Sequence, residues 1–141
     1  MTLFREAETL ELLIIENDPT LRCLLRVLLA GTQFEVTTAE TMKEVRQIVG
    51  EGASFGLVLC DTTLADSDLT ETIPAVKELL PDVPLVAMTG WTDKAPTKLL
   101  KKQGASEVLL KGENDWYLTL IPTLERNMGL ENVGKGNDSC M

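Results

Sequence analysis

From about residue 11 to 129, short unbroken apolar runs alternate with stretches whose apolar residues recur every three or four positions. Leu12-Leu13-Ile14-Ile15 is a run of the first kind, which marks a strand covered on both faces. Asn17-Asp18-Pro19 then reads as a helix start, with Asp18 able to cap and Pro19 suited to a first turn, where no N–H partner is lost. Leu21, Leu24, Leu25 and Leu28 predict one apolar helix face, which Gly31 can end. Phe34-Glu35-Val36-Thr37 alternates like a strand nearer a sheet edge. Met42, Val45 and Val49 give the next helical stripe, with Gly50 and Gly52 after it.

The same unit recurs three more times. Leu57-Val58-Leu59-Cys60 is a buried-type strand running into Asp61. Ile73, Val76 and Leu80 form a helical stripe that starts near Thr72, because Pro74 is tolerated only in a first turn. Pro84 to Met88 is a fourth strand entering Thr89-Gly90, and a short helix follows around Pro96 to Gln103, with Gly104 placed to end it. Val108-Leu109-Leu110 is a fifth strand entering Lys111-Gly112. The last helix spans roughly Asp115 to Asn127, and Pro122 is expected to kink or split it.

Five strand–helix units predict an α/β domain whose parallel sheet carries helices on both faces. Residues 1–10 read as an N-terminal extension, 11–129 as the folded domain, and 130–141, rich in Gly, Asn and Ser without a stripe, as a flexible tail.

Composition narrows the function classes. Twenty-two acidic residues against 13 basic ones give a formal charge of −9, which argues against a nucleic-acid or anionic-membrane surface, since both need clustered Lys and Arg. Lys98, Lys101 and Lys102 are too few for one and read as a solvated helix face. The absence of histidine argues against a zinc site and a His-based triad. Cys23, Cys60 and Cys140 form no CxxC pair and fit reduced thiols, and Cys60 reads as a small core residue with a raised pKa. Residues 1–11 lack the pattern of a secretory signal, and no apolar run approaches the ~20 residues of a membrane span. The expected location is cytoplasmic.

In parallel α/β sheets, chemistry gathers at the carboxyl ends of the strands. Glu16, Asn17 and Asp18 stand after the first strand, Asp61, Thr62 and Thr63 after the third, Thr89 and Gly90 after the fourth, and Lys111 after the fifth. Carboxylates crowded at one edge repel, and a hard divalent cation relieves that repulsion. Magnesium fits oxygen ligands and keeps several waters. A hydroxyl and a lysine beside it suit the equatorial oxygens of a transferred phosphoryl group. Asp18 reads as a helix cap, and Trp116 and Tyr117 as residues that pack on the fold.

Over roughly residues 11–127 these residues and their spacing resemble the response-regulator receiver family (CheY-like) of two-component signalling. Leu13 to Pro19 resembles its acidic turn, Val58 to Asp61 its phosphoacceptor strand, Met88-Thr89-Gly90 its switch-threonine strand, and Gly104-Ala105 through Leu110-Lys111 its lysine strand. The resemblance implies a doubly wound, flavodoxin-like (βα)5 fold with strand order 2-1-3-4-5. It implies magnesium-dependent phosphoryl transfer to Asp61 from a phosphohistidine on a sensor histidine kinase or a histidine phosphotransfer protein. Glu16, Asp61 and the Thr63 main-chain carbonyl would hold the Mg2+ ion, with Asn17 acting through a water, and Thr89 and Lys111 would bind phosphoryl oxygens. The output would be conformational switching at the fourth helix, fifth strand and fifth helix, read by a separate partner whose identity the sequence does not specify. Homodimerisation through that face is compatible with the sequence and not specified by it. Catalysis would be limited to self-phosphorylation and slow autodephosphorylation, short of a conventional enzyme.

Several positions depart from the family pattern. Asn17 stands where a second Asp is usual, which predicts weaker magnesium binding. Ala65 stands for a frequent Pro, Leu69 for a frequent Gly, and Gly112 for the proline after the lysine. Val108 stands for an aromatic that rotates inward on phosphorylation. Trp91, two residues past Thr89, has the bulk to overhang the site and slow water attack on the acyl phosphate. Asn17 and Val108 keep a second reading open, a phosphorylation-independent pseudo-receiver acting as a protein–protein interaction module. A flavodoxin-like cofactor protein is a poor third, since Glu16-Asn17-Asp18 would repel a flavin phosphate.

Overall fold

Successive residues of β1 (Leu10–Ile15) point to opposite faces of the sheet and enter two separate cores. The computed structural model describes residues 9–90, 97–112 and 115–129. The element order is β1, α1 (Pro19–Leu29), β2 (Phe34–Ala39), α2 (Met42–Gly50), β3 (Leu57–Asp61), α3 (Thr72–Leu79), β4 (Leu85–Thr89), α4 (Thr97–Gln103), β5 (Glu107–Leu110) and α5 (Trp116–Asn127). The five strands are parallel in the order β2-β1-β3-β4-β5. This is the expected α/β fold.

On one face, Leu13, Ile15, Val58, Cys60, Leu85 and Ala87 pack against Met42 and Val45 of α2, Ile73 and Val76 of α3, and Leu100 of α4. On the other, Leu12, Ile14, Leu57, Leu59, Val86 and Met88 pack against Leu25 and Leu29 of α1 and Leu120 and Leu124 of α5. Residues 57–61 and 85–89 are buried throughout, as their unbroken apolar runs require when both faces are covered. The order of strands reverses between β1 and β3, so the crevice for chemistry opens at their carboxyl ends.

Local signals act as expected in most helices. Asp18 caps α1 by accepting the Thr20 N–H at 2.9 Å, with Pro19 in the first turn. Thr72 begins α3 and places Pro74 in its first turn. Lys98, Lys101 and Lys102 are exposed.

Four expectations need correction. The buried face of α1 runs through Leu25 and Leu29, and Leu24 is 43% exposed, because the helix meets the sheet one position further round than the Leu21-Leu24-Leu25-Leu28 stripe implies. Gly50 is the last residue of α2, and the left-handed turn falls at Gly52 (φ +96°). α5 is one continuous helix with Pro122 inside it, so the proline does not split the element. Its ring faces solvent while Leu120, Thr123 and Leu124 bury the opposite side, and that packing holds the helix across the missing N–H. Trp116 packs against the α1/α5 core as expected, whereas Tyr117 is 47% exposed. Trp91, the start of the fourth helix at Pro96 and the tail from 130 lie outside the described residues.

Candidate functional site

Strand register alone lines up the candidate residues. Ile15 is level with Cys60, Asp61 with Met88, and Thr89 with Leu110, so Glu16, Asp61, Thr89 and Lys111 follow one another along the carboxyl edge of the sheet. Backbone bonds continue the sheet one residue further at three places: Glu16 N–H to Ala39 O (2.9 Å), Thr62 N–H to Met88 O (3.1 Å) and Lys111 N–H to Thr89 O (2.8 Å). These bonds carry the rigidity of the sheet into the first residues beyond it.

The Lys111 ammonium joins two carboxylates. Its Nζ lies 3.2 Å from Glu16 Oε1 and 3.3 Å from Asp61 Oδ2. The Glu16 side chain is almost wholly buried and that of Asp61 nearly so, while Lys111 keeps part of its surface in solvent. The other Glu16 oxygen accepts the Asp18 N–H at 3.1 Å, and Arg22 Nη1 donates to the Glu16 carbonyl at 2.8 Å. Burial and the neighbouring Asp61 charge push the Glu16 carboxyl above its ordinary value, and Lys111 only partly opposes them. Asp61 Oδ1 accepts the Thr63 N–H at 3.3 Å, which folds the chain after β3 back over the carboxylate.

Other candidates take the positions their neighbours dictate. Thr89 is fully buried as the last residue of β4. Asn17, Asp18 and Thr63 are exposed, and Asp18 Oδ1 serves as the α1 cap. Two acidic side chains therefore converge, Glu16 and Asp61. Cys60 is fully buried beside both, and its thiol is pushed far up by desolvation first and by Asp61 and Glu16 after it, as a core thiol should be. A groove of about 370 Å3, lined by Asp18, Thr20, Leu21, Leu24, Trp116 and Lys111, opens between the starts of α1 and α5.

The donor set suits a small hard cation. Glu16 and Asp61 already share one positive group, so their oxygens face a common point, and magnesium needs only one or two carboxylates beside its waters. No group of three or more His, Cys, Asp or Glu side chains placed to hold a metal ion occurs among the described residues.

One residue was missed by the reading of the sequence. Asp66, in the loop after β3, accepts the Met42 N–H at 2.9 Å and the Lys43 N–H at 3.1 Å and so binds that loop to the start of α2. The turn-forming run Ala65-Asp66-Ser67-Asp68 hints at a cap, but its partner lies 23–24 residues upstream and is not legible locally.

The family described as the response regulator receiver domain matches residues 12–120. Among curated proteins, the transcriptional regulatory protein ZraR of Escherichia coli (strain K12) is 29% identical over 104 residues, covering 74% of this chain and 23% of that protein. The two-component response regulator ARR10 of Arabidopsis thaliana is 27% identical over 157 residues, covering 99% of this chain and 28% of its own length. The chain thus spans about a quarter of the length of these relatives. Among solved structures, a putative response regulator from Chloroflexus aurantiacus superposes with a TM-score of 0.74 at 22% identity, covering 86% of this chain and 98% of that one. The receiver domain of sensor histidine kinase PA1611 from Pseudomonas aeruginosa, with a magnesium ion coordinated in its active-site cleft, gives a TM-score of 0.71 at 20% identity over the same shares.

Proposed function

Because this chain belongs to the response-regulator receiver family of two-component signalling, we propose that it accepts a phosphoryl group on Asp61 from a phosphohistidine. The observation that supports this reading best is the Lys111 ammonium set between Glu16 and Asp61, two carboxylates brought to one point from strands far apart in sequence. In the transfer, an Asp61 carboxylate oxygen attacks phosphorus, the P–N bond to the donor imidazole breaks, and an aspartyl phosphate forms. The donor imidazole belongs to a partner, a sensor histidine kinase or a histidine phosphotransfer protein, since this chain has no histidine.

Glu16, Asp61 and the Thr63 main-chain carbonyl would hold magnesium, with Asn17 acting through a water, and the ion would supply positive charge to offset that of the phosphoryl oxygens. Lys111 then turns from the carboxylates to a phosphoryl oxygen, and Thr89 donates its hydroxyl to another. The groove between the starts of α1 and α5 has Lys111 in its lining. Moving Lys111 and Thr89 shifts β4, β5 and the adjoining helices, and that shift is the signal to a downstream protein. Val108 lies half-buried on β5, so switching here rests on Thr89 and Lys111 without an aromatic at that place.

The deciding test is intact mass after incubation with acetyl phosphate and magnesium, with Asp61→Asn as control. A phosphoryl adduct on the native protein and none on the variant is the expected result. No adduct even at magnesium far above physiological levels would replace this reading with the pseudo-receiver, for which exposed Asn17 in place of a third carboxylate is the supporting observation.

A further inference from the structure

The loop between β3 and α3 has to present the Thr63 carbonyl at a fixed place, yet its turn, Leu64-Ala65-Asp66-Ser67, contains neither proline nor glycine to restrict or dictate its backbone. Two hydrogen bonds close the turn, Leu64 N–H to Ser67 O at 2.8 Å and Ser67 N–H to Leu64 O at 3.3 Å. Leu64 sinks into the core, and the Ser67 hydroxyl pairs with that of Thr72 at 2.7 Å in a buried contact. Asp66 occupies the tip and reaches out of the loop altogether to the first two N–H groups of α2.

α2 has local capping of its own. Thr41 Oγ1 accepts the Glu44 N–H at 3.1 Å, and Glu44 Oε1 accepts the Glu40 N–H at 2.6 Å, a reciprocal arrangement close to a capping box. The Asp66 carboxylate therefore adds a tertiary tie to a helix start that is already served locally. Its bonds are charge-assisted and sit at the positive end of the helix dipole. Slight desolvation of Asp66 is outweighed by the Met42 and Lys43 N–H groups, so the carboxyl stays below its ordinary value and remains ionised through the neutral range.

We infer that Asp66 is a positioning residue for the metal site: it pins the tip of the β3–α3 loop to α2 and thereby sets the place of the Thr63 carbonyl and the affinity for magnesium. Thr63 lies between two fixed points, the Thr62 N–H bonded to Met88 O on one side and the Leu64–Ser67 turn on the other. Only the second depends on Asp66. The inference rests on the magnesium site proposed above, and Asp66 itself touches neither the ion nor the phosphoryl group.

The test is magnesium binding by calorimetry to native protein, Asp66→Ala, Asp66→Asn and Asp68→Ala, with amide exchange of the loop measured without magnesium. Asp68 caps the same region by accepting the Thr70 N–H at 2.9 Å but is not tied to α2, so its variant controls for generic loosening. The expected result is a magnesium Kd weakened about 10-fold in Asp66→Ala, as when an outer-shell support of a metal ligand is lost. Asp66→Asn, which keeps one acceptor oxygen, recovers part of that loss, and Asp68→Ala stays near native. Exchange at the Leu64 and Ser67 amides quickens in Asp66→Ala. A native Kd in Asp66→Ala overturns the inference and leaves the metal site standing. A native protein that takes up no magnesium overturns both.

Discussion

Lys111 donates to Glu16 across 3.2 Å although 95 residues of chain separate them. The same ammonium also touches Asp61, so the site carries an internal cation between the two carboxylates that would hold magnesium. Metal and lysine would therefore compete for the same oxygens, and phosphorylation would give the lysine somewhere else to go.

Replacing Lys111 with Met should separate these roles. The variant leaves two neighbouring carboxylates unpaired and should lose about 1–2 kcal/mol in urea unfolding without magnesium, a partly exposed ion pair counting for less than a fully buried one. Magnesium should bind several-fold tighter and restore most of that stability, while adduct formation from acetyl phosphate falls sharply. Unchanged magnesium affinity would mean that the lysine does not compete for the site.

Glu16→Gln tests the raised carboxyl. An acid whose pKa rises on folding stabilises the fold in its protonated form. That contribution is present below the unfolded pKa and is lost as pH climbs through the folded value. Ionised Glu16 is thus a cost at neutral pH, and its origin is burial first and Asp61 second. The variant should melt about 2–6 °C above native at pH 7.5 and near native at pH 4, with its magnesium-induced rise in Tm abolished. A lower Tm at pH 7.5 would show that the Lys111 contact outweighs the burial.

Glu107 makes the opposite case on β5. Arg126 donates to it at 2.7 and 2.6 Å, and these bonds hold its carboxyl below the ordinary range. Its stabilising effect is present above the unfolded pKa and is lost as pH falls through the folded value. Glu107→Gln should cost about 0.5–1 kcal/mol at pH 7, the modest figure of a half-exposed pair, and less at pH 4. Urea midpoints at the two pH values decide it.

Pro122 interrupts the hydrogen-bond ladder of α5 on its exposed side. Pro122→Ala restores an N–H and should raise stability by about 1–3 kcal/mol. Thermal unfolding checks this, and a destabilised variant would show that the proline ring is needed where it lies.

The strands and the residues just beyond them were legible because both are local properties. An unbroken apolar run such as Leu57 to Cys60 can be satisfied only by burial on both faces, and the residues that end such a run in an α/β sheet stand at its functional edge. Glu16, Asp61, Thr89 and Lys111 could therefore be named, as could the Asp18 cap. The sequence by itself thus determined the element order, the fold class and the candidate site. Tertiary structure decided which face of α1 turns inward, exposing Leu24, and that packing of Leu120 and Leu124 carries α5 through Pro122. It decided that Asp66 ties its loop to α2. The physical reason is range. Propensity and periodicity act over a few residues, whereas a charge or a carboxylate cap chooses its partner in space, after the chain has already brought distant strands and helices side by side.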